Sequence, residues 1–94
     1  MVSIVAVWNG FDILLNSRET RALVAAATSS QNLYAYFLRL VTIPTIRKWL
    51  KDLADAIFRD IKNIERKNRG RGVKLKFRWE GIPPKLKYKG CESR

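Results

Sequence analysis

Residues 66–89 read RKNRGRGVKLKFRWEGIPPKLKYK, and the alternation inside this stretch decides the fold. From Val73 onward the apolar residues Val73, Leu75, Phe77 and Trp79 keep one parity, while Lys74, Lys76 and Arg78 keep the other. Gly81-Ile82-Pro83-Pro84 interrupts the pattern, which resumes as Lys85-Leu86-Lys87-Tyr88-Lys89. Successive side chains of a strand point to opposite faces. Two such strands folded back as a hairpin therefore present one apolar face and one face with six cations.

The same stretch holds nearly all of the +11 net charge: ten Lys or Arg stand against one acid, Glu80, whereas residues 1–65 hold eight against six. A core needs no such excess, and concentrated like charge destabilises the compact state, so an anionic partner is expected, nucleic acid first and an acidic membrane second. Same-face residues on a strand recur about every 6.6 Å, close to two phosphate steps of 3.4 Å, so Lys74, Lys76 and Arg78 match the spacing of a DNA or RNA backbone. Lys85, Lys87 and Lys89 extend that face. Arg66, Lys67, Arg69 and Arg71 form a second cluster at the end of the preceding helix, where cations also meet the negative end of its dipole. Lysines on a hairpin edge also prevent edge-to-edge aggregation, but one or two would suffice. Trp79 and Tyr88 share the parity of Leu75 and Phe77, which favours core packing over base stacking.

Upstream, Val2 to Trp8 is β-branched and aromatic, and Asn9-Gly10 separates it from the apolar run Phe11 to Leu15. Asn-Gly between two such runs predicts a hairpin with a type I′ turn. Asn16 or Ser17 can cap a helix with Glu19 in its first turn, and Ser30 a second helix, apolar almost all round. Pro44 ends that helix and, with Thr42 or Thr45 as cap, opens a third over roughly residues 45–68. Its stripe is Ile46, Trp49, Leu50, Leu53, Ile57, Ile61 and Ile64. At 1.5 Å per residue such a helix runs about 36 Å, longer than the ~30 Å of a small domain. Either the helix curves around the core, or Ile57, Ile61 and Ile64 meet a second copy in a homodimer. The fold class that results is α+β: an N-terminal hairpin, three helices with the third long and amphipathic, and a basic C-terminal hairpin, the two hairpins joined in one antiparallel sheet on the second and third helices. Residues 1–90 form a single domain and 91–94 a short C-terminal tail.

The chain has no histidine and one cysteine, Cys91, which leaves no His-based general base, no Cys-His nucleophile, no metal site and no internal disulfide. Asp52 and Asp55 share a helix face with Lys48, Lys51 and Arg59 at ion-pair spacing, and Asp12, beside a turn, is either a buried acid or, the favoured reading, an acid on the exposed parity of an edge strand. No cofactor is implied. There is no positive n-region at the start, and residues 22–46 are interrupted by polar side chains before reaching the ~20 residues of a membrane span, so a cytoplasmic protein in a reducing compartment, without a transmembrane segment, is expected.

Three helices followed by a basic hairpin resemble, in element order, a winged-helix DNA-binding domain with the hairpin as wing; the leading hairpin and the long third helix depart from that pattern. A weaker similarity is to small basic ribonuclease toxins that work without histidine, which would make Arg78, Tyr88, Lys85 and Lys87 the constellation to look for. The residues themselves favour a non-enzymatic architectural or regulatory nucleic-acid-binding protein. The alternatives are the ribonuclease-type toxin and an accessory module, viral or from a mobile element, that docks on an acidic protein partner.

Overall fold

A computed structural model describes residues 2–94. Two N-terminal strands, β1 (Ser3–Val7) and β2 (Gly10–Leu15), are followed by helices α1 (Ser17–Ala26) and α2 (Ser30–Leu40), three consecutive helical segments α3 (Pro44–Arg47), α4 (Leu50–Arg59) and α5 (Ile61–Lys67), and strands β3 (Val73–Glu80) and β4 (Lys85–Ser93). All four strands lie in one antiparallel sheet in the order β1-β2-β3-β4, so the two hairpins are joined as the α+β reading requires. The C-terminal hairpin is thus half of the sheet rather than a separate wing. No helix among the described residues is long and apolar enough to cross a membrane.

The alternation of residues 73–79 settles which side of the sheet faces the helices. Val73, Leu75 and Phe77 are at most 1% exposed and join Ile13, Leu15, Leu23, Leu33, Phe37, Leu53 and Leu86 in one core. Helices lie on that side, and the other side of the sheet is open. Trp79 and Tyr88 share the core parity but lie at its rim, partly buried. Trp79 meets Phe11 and Trp49 edge-on, with ring centroids 6.4 and 6.3 Å apart.

Several local expectations shift by a residue or more. Val7 pairs with Gly10, so the first turn is Trp8-Asn9 and not Asn9-Gly10. Among the described residues no non-glycine residue has positive φ, which excludes the primed turn. Gly10 serves another need: a Cβ there would run into the Phe77 carbonyl of β3, so only glycine lets the strands approach. Asn16 caps α1 in a reciprocal pair with Glu19, at 2.7 and 2.8 Å, as foreseen. Ser29 rather than Ser30 caps α2, at 3.1 Å, and α3 opens on Ile43-Pro44 with no side-chain cap in place of Thr42 or Thr45.

The third helical region carries the expected stripe but bends twice. At Trp49 and Asp60 the backbone leaves helical geometry (φ −105°, ψ 0° and φ −103°, ψ 9°), and both N–H groups turn to the carbonyl three residues back. Each bend sits where the C-terminal hairpin holds a side chain: Trp49 against Trp79, and Asp60 through the Tyr88 hydroxyl at 2.5 Å. Bending lets the whole stripe follow the core in a molecule whose longest extent is 37 Å. Ile57 and Ile64 are 1% and 0% exposed, and Ile61 is partly buried against the same core, so the apolar stripe of this region packs within the chain.

Residues 91–94 are not a tail. β4 runs to Ser93, the Arg94 N–H donates to the Gly72 carbonyl at 3.1 Å, and Cys91 is buried with the Asn63 amide 3.6 Å from its sulfur. A β-bulge in β4, where Lys89 and Gly90 (φ 111°) together oppose Lys76, inserts one extra residue and returns Cys91 to the core side.

Replacing Phe77 by Ala should cost about 3–5 kcal/mol, and Trp79 by Ala less, about 2 kcal/mol, because its ring lies at the rim. Urea unfolding of both variants checks the order; a larger loss for Trp79 would shift the weight of the hairpin's stability from the core to the aromatic cluster.

Candidate nucleic-acid interface

β3 and β4 place their cations by parity alone. Lys74, Lys76 and Arg78 of β3 and Lys85, Lys87 and Lys89 of β4 stand on the side of the sheet away from the helices, with Lys87 directly across from Arg78 and Lys85 across from Glu80. The arrangement predicted for this face is therefore present. Its charge is not all free. Glu92, brought to the same face by the bulge, accepts from Lys76 at 3.0 Å and lies 3.2 Å from Lys74. Its hydrogen bonds to these two ammonium groups, Lys76 first, hold its carboxyl below the usual range. Glu80 pairs with Lys89 at 2.5 Å.

Arg78 has a different place. Its guanidinium donates to Asp12 Oδ1 at 2.8 Å, to the Phe77 carbonyl at 3.0 Å and to the Phe11 carbonyl at 3.3 Å. Asp12 is 8% exposed, because β2 is an interior strand and the arginine lies over it. The expectation of a solvated Asp12 on an edge strand gives way to a nearly buried acid paired across β2 and β3. This residue pair is what sequence reasoning missed, and the register Asp12↔Lys76, which sets Arg78 on the diagonal, is the signal that only the sheet pairing supplies. Lys85 and Lys87 have no ion pair among the described residues and are exposed.

The second cluster sits at the other end of β3. Arg66 and Lys67 close α5, and Arg69 and Arg71 lie exposed in the loop to β3. Arg66 bonds only Asn63 Oδ1, at 2.9 Å. Asn68 braces the loop by accepting from the Gly72 N–H at 3.1 Å. Arg71 lies three residues before Lys74, so the second cluster leads directly into β3 along the chain.

The ribonuclease-like constellation is not assembled. Tyr88 stands on the helix side, beside Phe77 at 5.7 Å, with its hydroxyl committed to Asp60, whereas Arg78, Lys85 and Lys87 stand on the open side. Burial, and then the bond to Asp60, push the Tyr88 phenol far above its ordinary value, so it stays protonated. A polar groove of about 390 Å³ runs between α4 and the outer edge of β4, with Asp52, Asp55 and Arg59 on one wall and Lys87 and Tyr88 on the other. Asp52 and Asp55 form none of the expected ion pairs among the described residues; Lys48 instead lies over the Trp49 ring, 5.5 Å from its centre. No cluster of three metal-ligating side chains occurs among the described residues.

A double-mutant cycle on Asp12→Asn and Arg78→Ala should return a coupling of about 1–3 kcal/mol, since the pair is mostly shielded from solvent and charge-assisted. Lys87→Ala should leave the denaturation midpoint within about 0.5 kcal/mol of the parent, as an exposed unpaired lysine does. Against this geometry, comparison of the chain with protein-family models, with curated proteins and with solved structures gives no match.

Proposed function

We propose that this protein binds nucleic acid through its phosphate backbone, in an architectural or regulatory role without catalysis, in the reducing cytoplasm. The observation that carries the reading is the open face of the sheet, where all six hairpin cations project away from the helices, with the Arg66–Arg71 cluster just ahead of β3 in the chain. Lys and Arg on phosphates position a protein without reading bases. Nothing on the face offers a planar fork or amide aimed at base edges, because the one arginine there is held by Asp12 and two carbonyls.

The ion pairs sharpen what binding should look like. Six cations and three carboxylates, Asp12, Glu80 and Glu92, share the face, which leaves a net charge of three. If the carboxylates keep their partners, three phosphates are neutralised and log K falls with log salt at a slope of about −2.7; if phosphates displace all of them, the slope approaches about −5.4. Lys85 and Lys87 are the strongest contacts in this reading, and Arg78 the weakest.

Fluorescence anisotropy with labelled DNA and RNA, single- and double-stranded, over four salt concentrations is the measurement. Lys87→Ala should flatten the slope by about one unit and weaken different sequences equally. Glu92→Gln, which frees Lys74 and Lys76, should tighten binding and steepen the slope by about one unit. A flat salt dependence, with a tight stoichiometric complex forming on an acidic protein, would move the interaction module to first place.

A further inference from the structure

Trp8 and Ile82 are 95% and 102% exposed, and Val5, at 44%, is the only other large apolar side chain so open among the described residues. Their positions are related. Trp8 opens the turn between β1 and β2, and Ile82 lies in the turn between β3 and β4. In the register Val7↔Gly10↔Arg78↔Lys87 both turns fall at the same end of the sheet. The midlines of the two hairpins are two strand spacings apart, about 10 Å.

The surroundings of these tips are also of one kind. The Trp79 backbone N–H donates to the Asn9 carbonyl at 2.9 Å, so Trp79, with Trp49 and Phe11 against its ring, adjoins the first turn. Lys48 stands over Trp49, and Lys85, with no ion-pair partner, follows the second turn immediately. An aromatic and an aliphatic side chain therefore project into water from the same end of the sheet, with half-buried aromatics behind the first turn, and Glu80 and Lys85 flanking the second.

We propose that this end of the sheet is a membrane-docking tip, which sinks Trp8 and Ile82 into the interface of an anionic lipid bilayer while the lysines behind them meet the headgroups. Trp settles at the level of the headgroups, and peripheral binding adds buried apolar area to the attraction between Lys and anionic lipid. Charge complementarity and the mixed chemistry of the pair favour lipid over nucleic acid. A duplex accepts an apolar wedge only between base steps set by its helical rise, and single strands stack on rings, which Ile82 lacks. A bilayer takes both side chains without any demand on their spacing. The tip shares Lys85 with the cationic face, but it rests on Trp8 and Ile82, which that face does not use, so the proposal stands independently of that reading.

The test is co-sedimentation with phosphatidylcholine vesicles, with and without phosphatidylserine, for the parent, Trp8→Ala, Ile82→Ala and the double variant. Both side chains are fully exposed, so thermal midpoints should not change, and that is the control for folding. The parent should bind only when phosphatidylserine is present, with a blue shift of tryptophan emission that Trp8→Ala diminishes. Each single variant should lose about tenfold in partitioning, and the double variant more. No binding to phosphatidylserine vesicles, or a double variant that binds like the parent, overturns the proposal. If the vesicles are ignored but the double variant loses affinity for duplex DNA, the tips are a nucleic-acid wedge, and lipid docking is equally excluded. Parent and tip variants that share one salt-dependent affinity for nucleic acid, while differing on vesicles, would support both surfaces separately.

Discussion

Strand β3 must be dry on one face and wet on the other, and the rest of the molecule is arranged to meet that demand. It is paired on both sides, to β2 and to β4, so its backbone is satisfied and only its side chains choose a direction. Val73, Leu75 and Phe77 draw the helices to one side, and the same periodicity sends Lys74, Lys76 and Arg78 to the other. The bends at Trp49 and Asp60 follow from this. A straight amphipathic rod would touch β3 and β4 over part of its length only; held at Trp79 and at Tyr88, it wraps the hairpin's apolar face from end to end.

How much of this was legible in the residues depends on the range of the interaction involved. The strict alternation in 73–79, Asn16 as one of two candidate caps with Glu19 in the first turn, and the helical stripe from Ile46 to Ile64 are local, and each came through. The bends did not, because they come from contacts between Trp49 and Trp79 and between Asp60 and Tyr88, far apart in the chain. Asn9-Gly10 carries a strong local signal for a primed turn, but the close approach of Phe77 to Gly10 claims the glycine for another purpose and moves the turn back one residue. The last four residues offered no pattern long enough to announce a strand, and it is the bulge at Gly90 that sets Cys91 inward and Glu92 outward.

The candidate site was legible in its geometry and illegible in its charge. Parity alone put six cations on one face. Which of them are held depends on acids from elsewhere in the sheet: Asp12 arrives on β2, Glu92 through the bulge, and Glu80 from the end of β3. Arg78 thereby changes character, from one of three cations at phosphate spacing to a cross-strand clamp, while Lys85 and Lys87 keep their charge unshared. Surface pairs such as those of Glu92 and Glu80 contribute little to stability, so a phosphate can compete for their lysines at small cost; the Arg78 pair is more shielded and resists exchange.

The pairing of β2 with β3 also governs the order in which the protein can assemble. On the side of β2 away from β1, residues 10–15 pair with residues 73–78, across the entire helical region. Bringing ends this far apart together is entropically expensive before any contact repays it, and folds built on such pairings form slowly. Until the basic third joins, β1 and β2 are a two-stranded ribbon, which is marginal in water by itself, and the helices have no sheet to cover. Cooperativity is thus concentrated in one late event, in which the charge-rich hairpin closes the core and completes the cationic face in the same step.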